Sequence, residues 1–339
     1  MVAGHDSEPQ LPAQQASICS THYPRATTSS HTVISTPPTS KCQPPATNAL
    51  RYASPLSPFP YPSNPTQGSI HAGLPTGTIA PLHGLPTYTV GSRTPTRGII
   101  VIYSDVFGLN LPNNKLLADA YAASGEYLVH LPDFFNGDPL TIQLADVLIP
   151  VDASKQSTLS KYSGLLAKMP SFLLWSSRHK DAPTSRVCME WLGKLRRAEP
   201  GRKIGMVGFC WGGRYALRAG QEASMIEVEE GKKVPLVDAV VALHPSNLVL
   251  PGDVERPVVP TTYGWGQEDS LVKIETMRKV EEIHEAERKA GRELPALEHK
   301  VYSPGRHGFA VRGNPDDAKE KKILEDSVTQ VLGWFGRWL

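Results

Sequence analysis

The sequence predicts an α/β domain built on a doubly wound, mostly parallel sheet with helices on both faces. Two patterns point that way. From residue 98 onward, short apolar or β-branched runs alternate with longer stretches of helical period. Several of those runs are apolar almost throughout, as parallel strands covered on both faces must be. A third observation sets the domain limit: residues 1–65 hold 12 of the 31 prolines, 17 Ser or Thr and only five charged residues. That segment has too little apolar surface to offset the entropy of ordering it, so a disordered, solvated tail is expected there, with the folded domain at 66–339.

Taken in order, the expected strands are 98–104 (GIIVIYS), 126–131 (EYLVHL), 203–209 (KIGMVGF), 237–243 (VDAVVAL), 257–263 (PVVPTTY) and 297–302 (LEHKVY). Helices fall between them. Over 113–123, Leu116, Leu117, Ala120 and Tyr121 recur at helical spacing and Gly125 supplies a stop. The stretches 181–197, 212–220, 272–290 and 316–338 read the same way. In such a sheet the crossovers between parallel strands are right-handed.

Composition narrows the function classes. The chain has 339 residues, 40% of them hydrophobic, and a formal net charge of +2. With no Lys/Arg-rich run, neither nucleic acid nor an anionic membrane is expected as a partner. No apolar stretch approaches the roughly 20 residues that cross a bilayer, so a soluble protein is expected, with the cytoplasm as its default location. Cys19, Cys42, Cys188 and Cys210 form no close C-x-x-C pair, which suits free thiols in a reducing compartment. Cys19, His22, His31 and Cys42 are too loosely spaced, in a segment without apolar anchors, to predict a zinc site. No metal is expected.

The stretch KIGMVGFCWGGRYALRAG (203–220) carries the most chemistry, because an apolar strand runs through Gly208-Phe209-Cys210-Trp211-Gly212-Gly213 directly into a helix. This G-x-C-x-G is the cysteine form of the nucleophile elbow of α/β-hydrolases, a strained turn that needs small residues two positions either side of the nucleophile. Cys210 then projects at the carboxyl end of the sheet. The helix that follows contributes N–H groups and positive potential, which favour thiolate. The competing reading is a buried cysteine acting as a small hydrophobe in a Gly-rich strand end.

In α/β-hydrolases the acid and then the histidine follow the nucleophile along the chain. Beyond 257–263 the turn Gly264-Trp265-Gly266-Gln267-Glu268-Asp269 offers Asp269 as the acid, with Glu268 as a rival and an N-cap role for Asp269 as the structural alternative. Beyond the last strand, Ser303-Pro304-Gly305-Arg306-His307-Gly308 presents His307 as the base. His244, at the end of VDAVVAL, is the rival base but precedes the expected acid.

With those residues in order, the chain resembles the dienelactone hydrolase family of α/β-hydrolases, its fungal-type members especially. The resemblance spans about 66–339 and rests on HAGLPTG (71–77), GLPTY (84–88), SDVFGLN (104–110), LLADAYAASG (116–125), LPDFFNGDP (131–139), GFCWGG (208–213), AVVALHPS (239–246), Gln267-Glu268-Asp269 with Val272, and RHGFAVRG (306–313). It implies a Cys210-Asp269-His307 triad and hydrolysis of a small-molecule ester or lactone, as in carboxymethylenebutenolidase, with no metal or organic cofactor. Val106 and Trp211 would supply the oxyanion-hole N–H groups. Asp105 stands where the family places an acidic residue that supports the resting thiol, Glu in bacterial relatives. Bacterial relatives also bind the substrate carboxylate with arginines, one of them four residues after the histidine. That position is Val311 here, leaving Arg312 as the substrate-binding candidate, with His244 beside the pocket and Arg178 as a second arginine. The alternatives are a lactonase, thioesterase or cyclase tailoring a polyketide-like metabolite, or an inactive α/β-hydrolase that binds a ligand.

Overall fold

The computed structural model describes residues 73–148 and 157–339. The tail expected over 1–65, with Cys19, His22, His31 and Cys42, lies outside those residues. The described strands are β1 (Thr78–Leu82), β2 (Leu85–Gly91), β3 (Gly98–Tyr103), β4 (Tyr127–Pro132), β5 (Ile204–Phe209), β6 (Ile226–Glu229), β7 (Lys232–Val234), β8 (Ala239–Leu243), β9 (Thr261–Gly266) and β10 (Leu297–Tyr302). Eight of them form one sheet in the order β1-β2-β4-β3-β5-β8-β9-β10, and β6 pairs with β7 as a separate hairpin. From β4 to β10 every pairing is parallel, while β1 and β2 join antiparallel. The near-continuous apolar runs explain the middle of the sheet: β3, β4, β5, β8 and β9 are buried along their whole length.

The helices are α1 (Pro112–Ala122), α2 (Ile142–Leu148), α3 (Thr158–Arg178), α4 (Asp181–Ala198), α5 (Trp211–Ala219), α6 (Glu275–Lys289) and α7 (Ala318–Trp338). Both faces of the sheet are covered. On β5 a side chain at Gly205 would strike Phe335 of α7, whereas one at Gly208 would strike Ala216 of α5, from the opposite face. Helix α5 is anchored by charge as well as by packing. Arg214 and Arg218 both reach Asp253 through Nε, at 2.8 and 2.5 Å, and Arg218 also pairs with Asp181 at the start of α4.

Periodicity misses four parts of this fold, the short β6–β7 hairpin among them. Strand β9 begins at Thr261 rather than Pro257, because Pro257 and Pro260 have no N–H to give a ladder. The β1–β2 hairpin falls before the expected first strand. Its signal is the two-residue turn His83-Gly84, with φ of 52° and 96°, between two β-branched segments. Helices α2 and α3 also go unpredicted, and α3 carries Pro170 in its interior, where a proline reads as a helix break. No helix among the described residues is long and apolar enough to cross a membrane.

Candidate active site

Parallel strands bring their carboxyl ends to one side of the sheet, and the loops there collect the candidate residues. At the end of β5 the chain turns so sharply that Cys210 takes φ 51° and ψ −116°, and α5 starts at the next residue. A non-glycine residue held at such angles stores strain that the surroundings must sustain. The surroundings do so through close backbone approach. Gly212 N–H donates to the Ser104 carbonyl at 3.1 Å, and any Cβ on Gly212 would collide with the Tyr103 and Ser104 carbonyls. On the other side, a Cβ on Gly208 would lie 2.5 Å from the Gly212 carbonyl oxygen. The spacing of the glycines is thus a packing requirement of the turn.

Strands β9 and β10 supply the other two groups. Asp269 lies in the turn after β9 and His307 in the turn after β10, and both side chains are buried. His307 Nδ1 is 2.8 Å from Asp269 Oδ2, and His307 Nε2 is 3.1 Å from Cys210 Sγ. Asp269 Oδ1 accepts the N–H groups of Leu271 and Val272, each at 2.8 Å, but it caps no helix: α6 starts only at Glu275, behind Ile274, so these bonds close the turn itself. One carboxylate thus holds both its own turn and the His307 ring. Burial opposes a charge on His307, but the adjacent Cys210 sulfur and the Asp269 carboxylate outweigh it and push its pKa up to about 10. The arrangement favours an imidazolium at His307.

Three more groups surround this chain. No described residue accepts a hydrogen bond from the N–H of Val106 or of Trp211, the residues that follow β3 and the nucleophile turn. Asp105 is buried; Oδ1 accepts from Phe107 N–H at 3.1 Å and Asn114 Nδ2 at 3.0 Å, while Oδ2 has no partner among the described residues. It makes no hydrogen bond to Cys210. Burial raises its pKa to about 6, against the lowering effects of Asn114, the Phe107 N–H, Arg312 and His307. His244 sits edge-on to His307 with ring centroids 5.1 Å apart, and neither ring nitrogen has a partner among the described residues. Burial holds it neutral, well below the usual imidazole range. Among the described residues, no group of His, Cys, Asp and Glu is placed to hold a metal ion.

Residues 85–339 match the sequence profile of the dienelactone hydrolase family. The chain belongs to the dienelactone hydrolase family. It is 30% identical to dienlactone hydrolase 1 of Gibberella moniliformis over 281 residues, covering 80% of this chain and 92% of that protein. It is 29% identical to hydrolase pyvD of Aspergillus violaceofuscus, over 80% of this chain and 94% of that protein. A crystal structure assigned as a dienelactone hydrolase of Klebsiella pneumoniae superposes with a TM-score of 0.51 at 17% identity, over 78% of this chain and 98% of that one, which supports the shared fold. Membership places the chain among hydrolases that act on ester and lactone bonds.

Not every candidate of this dienelactone hydrolase family member gathers at the elbow. Cys210, His307 and Asp269 meet, with His244 against His307. Arg312 is buried, and its charge acts on Asp105. Arg178 ends α3 in an exposed two-bond pair with Asp138. Glu268 is held by its backbone N–H to the Pro304 carbonyl, with no hydrogen bond from its side chain to His307. Two residues near the centre receive no role from the sequence, although Ser246 closes the AVVALHPS block. Asn114 holds Asp105 from α1, and Ser246, beyond β8, reaches Cys210.

Proposed function

We propose that this dienelactone hydrolase family member cleaves a small-molecule ester or lactone through a Cys210-His307-Asp269 triad. The observation that carries the reading is the unbroken chain of contacts from Asp269 Oδ2 through the two nitrogens of His307 to Cys210 Sγ, ending on a strained nucleophile turn. In the cycle, the Cys210 thiolate adds to the carbonyl carbon, and the electron pair of the C=O bond moves to oxygen. The N–H groups of Val106 and Trp211 accommodate that oxyanion. Collapse expels the alkoxide or enolate, which takes the proton of His307, and leaves a thioester. His307, now neutral and oriented by Asp269, removes a proton from water as the water attacks. The second collapse breaks the C–S bond, returns the electron pair to sulfur and releases the acid. Asp105, within electrostatic reach of His307, and Arg312 supply charge at the edge of the site.

Stoichiometric iodoacetamide with peptide mapping tests the reading. Modification of Cys210 should run in step with loss of activity on a panel of aryl esters, enol lactones and acyl thioesters. Activity that persists after complete modification of Cys210 refutes it. The panel also ranks the substrate class: enol lactones above acyl thioesters support the lactone reading, and the reverse order supports a thioesterase.

A further inference from the structure

Cys210 Sγ has a second polar neighbour besides His307. Ser246 Oγ lies 3.4 Å from it, a hydrogen-bonding distance for sulfur. The hydroxyl is buried, at 8% exposure for the residue, and has no other hydrogen-bond partner among the described residues. A buried hydroxyl needs a partner, and here the sulfur is the one within reach.

The backbone builds this contact. Cys210 N–H donates to the Leu243 carbonyl at 3.1 Å, and Ser246 N–H donates back to the Cys210 carbonyl at 2.9 Å. Between them His244 takes φ 39°, a left-handed conformation that a histidine adopts at a cost, and its N–H is held by the Gly264 carbonyl at 2.8 Å. Pro245 packs so closely on α5 that a Cβ on Gly213 would lie 2.8 Å from it. The turn 243–246 is therefore clamped to the nucleophile turn on both sides, which fixes where the hydroxyl points.

We propose that Ser246 is a further catalytic residue, whose hydroxyl donates to the Cys210 thiolate before attack and again as the sulfur leaves the acyl-enzyme. This rests on the reading of Cys210 as the nucleophile. With a neutral thiol either partner can donate, but a thiolate carries no proton, so the hydroxyl must donate, in a charge-assisted bond. On attack the sulfur lone pair becomes the C–S bond, and the sulfur becomes a poor acceptor. In deacylation His307 takes the proton of water, the C–S bond breaks, and its electron pair returns to sulfur, where the Ser246 O–H meets it. The proton stays on His307, which restores the ion pair. Asp269, Asp105 and His244, the titratable groups that act on His307, are untouched by this exchange.

The test is the pH dependence of Cys210 alkylation by iodoacetamide, mapped by peptide, in wild type, Ser246→Ala and Ser246→Thr. Loss of a hydrogen bond to a charged group should move the midpoint up by about one pH unit in Ser246→Ala, slowing alkylation about tenfold below the midpoint. Intact mass should show its acyl-enzyme decaying more slowly, and Ser246→Thr, which keeps the hydroxyl, should restore both. A purely structural role would leave the midpoint in place. A wild-type midpoint in Ser246→Ala overturns the proposal, as does a Thr variant no better than Ala. Wild-type enzyme that stays active with Cys210 fully alkylated refutes the nucleophile reading itself, and that arm is read before any variant.

Discussion

Asp269 Oδ2 and His307 Nδ1 stand 2.8 Å apart across two turns that leave neighbouring parallel strands. The turns come this close because both carry glycine at the crossing point: a Cβ on Gly266 would collide with the Gly305 carbonyl, and Gly305 itself has φ 50°. Asp269 then spends its second oxygen on its own loop, through the N–H groups of Leu271 and Val272. The Asp269 carboxylate is held in place by the chain that carries it, before the imidazole adds anything.

Asp269→Asn separates these two tasks. The asparagine oxygen can keep the Leu271 and Val272 bonds, so the melting temperature should stay close to wild type. Its NH2 group then faces His307 Nδ1 and favours the wrong tautomer, and turnover should fall by about 10²- to 10⁴-fold. Intact mass after mixing with substrate should show accumulated acyl-enzyme, because water attack depends on the oriented imidazole more than thiolate attack does. Glu268→Gln should turn over like wild type. Equal losses in the two variants would undo the assignment of the acid.

Gly212→Ala tests the elbow as a packing problem. The added methyl has no room between the nucleophile turn and the Tyr103 and Ser104 carbonyls, and both are backbone atoms of a buried strand end that cannot swing aside. Loss of at least about 2 kcal/mol is expected in denaturant unfolding, with activity lost alongside. A variant as stable and active as wild type would mean that the turn relaxes freely.

Asp105 makes a prediction with a defined pH window. Its folded pKa of about 6 lies above the ordinary aspartate value of 3.8, chiefly because the carboxyl is buried. The folded protein therefore binds this proton more tightly than the unfolded chain does. Ionising it weakens the fold as pH rises from about 4 to about 6, and the penalty is constant above that. Asp105→Asn keeps an acceptor for Asn114 and the Phe107 N–H while removing the charge. It should gain stability relative to wild type across that window, by about 2 to 3 kcal/mol at pH 7. Parallel stability curves for the two proteins between pH 4 and 7 would contradict this.

Asp253→Asn addresses the anchor of α5. Asp253 is almost fully buried and accepts from Arg214, Arg218 and the Val249 N–H. Removing its charge strands two guanidinium groups with only Asp181 to share, at a cost of about 3 kcal/mol. Urea titration should show the loss. Because α5 carries Trp211, reactivity of Cys210 should fall as well, and unchanged unfolding would show that Asp181 alone suffices.

By itself the sequence determined the sheet's middle and the strand-to-helix turn at Cys210, and it named the candidate groups at the sheet's edge. Residues 98–103 and 204–209 are apolar because they are covered on both faces, and that pattern is readable without partners. Gly208, Cys210 and Gly212 are legible for a similar reason, since the collisions that forbid a Cβ arise within a few residues of the turn or against one adjacent strand. Asp269 and His307 could be placed in turns after strands, while Glu268 and His244 stayed in competition with them. Tertiary structure separates them by geometry: Asp269 faces His307, His307 faces Cys210, and His244 lies edge-on, its ring nitrogens without a partner among the described residues. It also decided that Asp105 spends its bonded oxygen on Asn114 and Phe107, and that Ser246 meets the sulfur. The physical reason is distance along the chain. A hydrogen bond between residues 36 or 97 positions apart leaves no periodicity to read, because it exists only once parallel strands have brought their ends together.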